Sequence, residues 1–118
     1  MKLSQAEIEA RLAEVRSSYI NSLTGKADQI QQQWSSLGRQ WHRETFQALY
    51  HLLHTLAGSA ETFGLANITA SARTLVELCR HHDKDTPFAA EEFANMTPDI
   101  ERLLTQMRQA VTEPKNRR

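Results

Sequence analysis

The sequence predicts an all-α protein, an antiparallel up-and-down four-helix bundle with a long or bent amino-terminal helix. Three observations carry this. Apolar residues recur three and four apart through successive regions of the chain, which is the helical period. The breaks between those regions are short and rich in glycine, proline and small polar residues, so neighbouring helices run antiparallel. Glycine and proline are otherwise scarce, at four and three residues in 118, and the aromatic and β-branched runs that build strands are lacking. Each helix has one apolar stripe to cover, and four stripes turned inward cover one another. An extended coiled coil is the competing architecture, and the turn signals at Gly38, Gly64 and residues 83–86 argue against it.

The elements follow in order. Ser4-Gln-Ala-Glu7 is a capping-box pattern that starts a helix near Gln5. Ile8, Leu12, Val15, Tyr19, Leu23, Ala27, Ile30, Trp34 and Leu37 then keep one helical phase. That phase survives Gly25, so the pattern predicts one helix, bent at Thr24-Gly25 if anywhere. At 1.5 Å per residue it runs to roughly 45–50 Å, longer than the helices after it, and its amino-terminal portion should overhang. Ser35 to Gln40, containing Gly38, reads as a turn. Trp41 stands at the boundary and packs over the bundle end.

The next helix is predicted from about His42 to Phe63. Phe46, Leu49, Leu53, Leu56, Ala60 and Phe63 form its inward stripe, leaving Gln47, His51, His54, Gly58 and Glu61 on the solvated face. Gly64 ends it in a left-handed conformation and Asn67 caps the following helix, which runs to about His82. Ile68, Ala72, Leu75, Leu78 and Cys79 are its expected buried stripe. His81-His82 marks a helix end, followed by a polar loop. Thr86-Pro87 and Thr97-Pro98 are two helix-start signals of one kind. Phe93, Met96, Ile100, Leu104, Met107 and Val111 hold phase across Pro98, predicting one kinked helix or two pieces on one axis. Pro114 ends it. Residues 1–113 are thus read as the bundle and 114–118 as a disordered tail or the start of a linker.

Composition narrows the function. One domain fits the length. The formal net charge is zero, so no general basic field addresses nucleic acid. No apolar run approaches the roughly 20 residues that span a bilayer, and the amino terminus lacks a signal-peptide core. The single Cys79 excludes an internal disulfide and reads as a small core residue. A cytoplasmic monomer without nucleic-acid or membrane partners is expected. His51 and His54 form an i, i+3 pair, but no thiol or carboxylate joins them at metal-site spacing, so no metal is expected. No phosphate-cradling loop occurs.

The informative segment is His54-Thr-Leu-Ala-Gly-Ser-Ala-Glu-Thr-Phe-Gly64. A solvated glycine inside a helix costs about 1 kcal/mol relative to alanine. Gly58 lies one turn from His54 on the same side, leaving the imidazole open to a large partner. His54-x-Leu56-x-Gly58-Ser59-Ala60, closed by Phe63-Gly64, resembles the signature of histidine-containing phosphotransfer domains. The resemblance extends downstream through Leu75, and the helical pattern fits that fold over the whole chain.

The resemblance implies a phosphorelay intermediate whose His54 accepts a phosphoryl group from a response-regulator aspartate and passes it on. The partners it implies are a response-regulator receiver domain, a hybrid histidine kinase, or both. It implies a carrier and not an enzyme, with no cofactor of its own and with Mg²⁺ in the receiver. Gly58, His51, Gln47, Glu61 and Ala57 would give the partner access, and Ser59 would support the site. Many family members have Lys three residues after the histidine, where this chain has Ala57. Residues near 75–80 lie level with His54 across the hairpin, so Arg80 is the first candidate for the replacement cation. Arg73, two turns earlier on the same outward stripe, is the second. The alternative function is a non-transferring docking or oligomerisation module of a larger signalling protein.

Overall fold

The computed structural model describes residues 2–116 and contains five α-helices: α1 (Gln5–Asn21), α2 (Leu23–Arg39), α3 (Arg43–Thr62), α4 (Ala66–Arg80) and α5 (Ala90–Thr112). A 3₁₀ turn, Pro114–Asn116, follows. Helices α2 to α5 pack in cyclic order, α2 on α3, α3 on α4, α4 on α5 and α5 on α2. This is the four-helix bundle. Short connections at 40–42 and 63–65 and a longer one at 81–89 turn the chain back at each end. Leu23, Ile30, Leu49, Leu53, Leu56, Ile68, Leu75, Ile100, Leu103 and Met107 are fully buried at its centre. The stripes of α2 and α3 fall where their spacing requires, except that Phe63 is only half-buried.

The capping box at Ser4 is formed. Its Oγ accepts from the Glu7 amide at 3.1 Å, and the Glu7 carboxylate accepts from the Ser4 amide at 3.3 Å. The two amino-terminal helices make one bent rod, interrupted at Ser22 and not at Thr24-Gly25. Ser22 stays right-handed (φ −73°, ψ −14°), and the Lys26 amide still bonds the Ser22 carbonyl at 3.2 Å. The Ser22 hydroxyl donates to the Tyr19 carbonyl at 2.6 Å. That bond competes with the backbone and distorts one turn. Gly25 has the freedom to bend but nothing that demands it.

The turn expected at Ser35 to Gln40 is helical as far as Arg39. Gly38 has a packing role there: a Cβ would stand 2.8 Å from Cζ of Phe93. The Phe93 ring stacks on Trp34 with centroids 4.1 Å apart, and the bare glycine lets α5 approach. Gly64 is left-handed (φ 73°), as expected. The Leu65 amide bonds the Ala60 carbonyl at 2.9 Å and the Gly64 amide bonds the Glu61 carbonyl at 3.1 Å, the Schellman closure. Asn67 does not cap α4 from outside. It is the second residue of the helix, where its Oδ1 accepts from the Ile68 amide at 2.8 Å.

Helix α4 ends at Arg80, earlier than His82. Leu78, expected inside, is 48% exposed, and Val76 and Thr69 take up the buried face. The stripe therefore follows 68, 69, 72, 75, 76, 79, leaving position 78 turned outward. His82 is half-buried among Trp41, Phe46 and Phe88, and its Nε2 lies 2.6 Å from the Thr86 carbonyl oxygen. Trp41 does pack over the end of the bundle, donating to the Lys84 carbonyl at 2.9 Å.

Helix α5 is a single element. It starts at Ala90, beyond Thr86-Pro87, and passes through Thr97-Pro98. Thr97 is not a cap: its hydroxyl donates to the Phe93 carbonyl at 2.9 Å and accepts from Trp34 Nε1 at 3.2 Å. The amide that Pro98 lacks would have served the carbonyl of exposed Ala94, which water can reach. Beyond the helix, Asn116 is buried and its Nδ2 donates to the Ala110 carbonyl at 3.0 Å. The segment expected as a disordered tail or the start of a linker thus begins with a 3₁₀ turn. Arg117 and Arg118 lie outside the described residues.

Candidate functional site

Helix α3 sets the site by its phase. Because Phe46, Leu49, Leu53, Leu56 and Ala60 are buried, the opposite line of residues must face solvent, and Gln47, His51, His54, Gly58 and Glu61 are all exposed. His54 sits near the middle of the helix. The Tyr50 ring lies one turn back, with centroids 6.3 Å apart and planes inclined at 39°. Among the described residues no side chain or backbone group hydrogen-bonds the His54 ring, so neither ring nitrogen is held by the fold.

Gly58 is open. A Cβ there would meet nothing within 4 Å, in contrast to the one at Gly38. No internal packing therefore requires glycine at this position. Its carbonyl accepts from the Thr62 hydroxyl at 3.2 Å. Ala57 does not belong to the access face. It is 6% exposed and lies in the core cluster, because its place on the helix turns it toward the buried stripe.

Ser59 is half-buried and turned away from His54. Its Oγ lies 2.6 Å from the Tyr19 hydroxyl and also reaches the Leu56 carbonyl at 3.3 Å. Tyr19 stacks on Phe63 at 4.5 Å, and the Lys26 ammonium stands over the Tyr19 ring at 4.4 Å. Burial raises the Tyr19 pKa, an effect the Ser59 hydrogen bond partly offsets, and burial lowers that of Lys26. Sequence reading placed Ser59 but missed Tyr19 and Lys26, because both come from the rod and their contacts are tertiary. The rod is thus tied to the carboxyl-terminal half of α3, and Arg16 adds a bond from Nε to the Phe63 carbonyl at 3.3 Å.

The two candidate cations are present on α4 and both are paired. Arg73 bridges to Glu61 of α3, and Arg80 bridges to Glu77 at 2.8 Å. Glu77 was not anticipated. Both pairs are exposed, and such pairs contribute little, about 0–1 kcal/mol, so a more highly charged anion can compete for the arginines. Among the described residues no cluster of three His, Cys, Asp or Glu side chains is placed to hold a metal ion. A cleft of about 390 Å³ opens at the Gly64 end, lined by Arg16, Asn67, Gln106 and Glu113 among others, and His54 does not line it. His54 stands on the exposed face of α3, outside that cleft.

The sequence matches the Hpt domain family over residues 6–113. The chain belongs to the Hpt domain family. Hpt domains are histidine phosphotransfer modules of two-component systems, phosphocarriers that work with receiver domains and histidine kinases. No curated protein and no solved structure matches the chain significantly. Among the described residues no helix of this Hpt domain is long and apolar enough to cross a membrane.

Proposed function

We propose that this Hpt domain is a phosphorelay intermediate whose His54 takes a phosphoryl group from a receiver aspartate and hands it on. The observation that supports the reading best is the pairing of an exposed His54 with a Gly58 that no internal contact requires. Imidazole is a competent nucleophile near neutral pH, where much of it is unprotonated. In the transfer, the lone pair of the solvent-facing nitrogen, taken as Nε2, attacks phosphorus. The P–O bond to the aspartyl group breaks and its electrons leave with the carboxylate. The proton on Nδ1 stays on the ring, whose charge the phosphoryl oxygens offset. The transferring group is metaphosphate-like, so rate comes from positioning and charge neutralisation.

Mg²⁺ and the acidic pocket belong to the receiver in this scheme, and the chain supplies the ring and the open approach. Arg80, and secondarily Arg73, supply the positive charge that Ala57 does not, exchanging their carboxylates for phosphoryl oxygens. Incubation with a phosphorylated receiver and Mg²⁺ should give acid-labile, base-stable phosphate on the chain. His54→Gln should abolish it without unfolding an exposed site. Label that persists in that variant, or a wild-type chain that takes none from its cognate receiver, refutes the assignment. A non-transferring docking module is the second reading, favoured by Ala57 and by arginines that already have partners. It predicts that His54→Ala keeps receiver affinity, that Gly58→Arg removes it, and that no phosphate moves.

A further inference from the structure

Helix α1 extends past the bundle with an apolar face that nothing in the described chain covers. Every residue from Lys2 to Leu12 is exposed, and the first buried residue of the rod is Ile20. Along this overhang Ile8, Leu12 and Val15 stand 40%, 63% and 54% exposed. Tyr19 continues the stripe where the rod meets the bundle. The steps of four, three and four residues are those of a coiled-coil seam. About three turns of solvated helix are marginal alone, and a seam of this kind gains its stability from a second helix.

The charges beside the seam select the partner. With Ile8 and Val15 at d positions and Leu12 and Tyr19 at a positions, Glu9 and Arg16 occupy e and Arg11 occupies g. A parallel pair of copies would face each g with the partner's e five residues on, setting Arg11 against Arg16 twice. An antiparallel pair instead layers Leu12 on Val15 of the second copy and brings Ile8 level with Tyr19, whose ring is already packed by Phe63 and Lys26 of its own chain. Its e positions then face each other, setting Glu9 against Arg16 twice. Like charges oppose one arrangement and opposite charges favour the other.

We propose that α1 is a homodimerisation helix: two copies of this chain pair antiparallel through the exposed Ile8, Leu12 and Val15, each Glu9 facing the Arg16 of the other copy. The contact is isologous and closes at two. Arg16 commits Nε to the Phe63 carbonyl, which leaves the terminal nitrogens of its fork for the carboxylate. The contact is small, so the dimer is weak, with a dissociation constant on the order of 10 µM. It does not depend on transfer at His54.

Sedimentation velocity on the full chain, from about 1 to 100 µM, tests this around the expected constant. The wild type should pass from monomer to dimer across that range. Leu12→Asp, at a solvated position, should remain monomeric throughout and match the circular dichroism of the wild type at about 1 µM, where that too is monomeric. Glu9→Arg and Arg16→Glu should each dimerise about tenfold more weakly, since both symmetric contacts become repulsive. An equimolar mixture of the two variants should restore dimerisation, because every facing pair is then opposite in sign. A chain that stays monomeric throughout overturns the proposal, including one whose stripe binds a receiver instead. So does a dimer indifferent to Leu12→Asp or to Glu9→Arg, or a mixture that fails to restore pairing.

Discussion

One substitution, glycine to alanine, should have opposite consequences at positions that look alike in sequence. Gly25, Gly38 and Gly58 all lie inside helices. At Gly25 and Gly58 a new Cβ meets nothing within 4 Å, whereas at Gly38 it falls 2.8 Å from Phe93 Cζ. In open helical positions alanine should gain about 1 kcal/mol, from a smaller loss of backbone freedom. At Gly38 the same gain is offset by overpacking of about 2 kcal/mol, because the Phe93 ring is held flat against Trp34 and cannot turn aside freely. The expected net effect there is a loss of about 1 kcal/mol. For a chain of this size 1 kcal/mol moves Tm by about 4 °C. Gly25→Ala and Gly58→Ala should therefore melt about 4 °C higher than wild type, and Gly38→Ala about 4 °C lower. Phosphoryl transfer separates the first two. Gly25→Ala should transfer normally, whereas a bulky side chain at the site, Gly58→Arg, should slow transfer by about tenfold or more through steric exclusion of the receiver. Should Gly58→Ala fail to stabilise, the bare position carries no folding cost, and its use as evidence of partner access fails. Normal transfer by Gly58→Arg would remove the steric role directly.

Other consequences are separable. Burial lifts the Cys79 thiol from 9.0 to about 11. The unfolded chain thus releases this proton first, so the contribution is complete below pH 9 and is lost as pH rises toward 11, by up to about 3 kcal/mol. Urea titrations at intervals from pH 8 to 11 should show a wild-type decline that Cys79→Ala reduces; parallel curves would contradict the burial argument. Tyr19→Phe keeps the ring stack on Phe63 and removes the hydroxyl bonded to Ser59, and should cost about 1 kcal/mol in denaturant unfolding. An unchanged midpoint would mean that this tie contributes nothing. Arg80→Ala should alter stability by less than about 1 kcal/mol yet slow labelling of His54, with Arg73→Ala affecting labelling less. Equal labelling rates in wild type and both variants would show that neither arginine replaces the absent lysine.

The fold was legible where burial decides geometry. The inward stripes of α2 and α3 are a direct reading of apolar spacing, and the solvated line of Gln47, His51, His54, Gly58 and Glu61 is its complement. Gly64 was legible because a left-handed residue at a helix end is a local demand. The misread positions are those where a distant residue changes a local preference. Gly38 reads as a turn until Phe93 is placed against it, and Thr97-Pro98 reads as a helix start until Trp34 supplies the partner of Thr97. Ala57 reads as a surface position by analogy with a lysine, although its helical phase already turned it to the core edge. The partners of the site arginines were invisible for a similar reason. Exposed charges have many neighbours within reach, and spacing does not choose among them.

The rod shows how far periodicity goes as an argument. Its apolar phase runs unbroken from Ile8 to Leu37, yet its two halves meet different fates. Leu23, Ala27, Ile30, Trp34 and Leu37 are buried by α3 and α5, while Ile8, Leu12 and Val15 are exposed. The same spacing therefore states only that a face is to be covered, not by what. Bundle length answers for α2, because α3 spans about 30 Å and the rod about 52 Å at 1.5 Å per residue. For α1 nothing among the described residues has the reach, and only the flanking charges discriminate among partners. Glu9 and Arg16 favour a second copy laid antiparallel, and Arg11 with Arg16 opposes one laid parallel. The apolar stripe thus supplies affinity without direction, and two weak surface charges supply the direction.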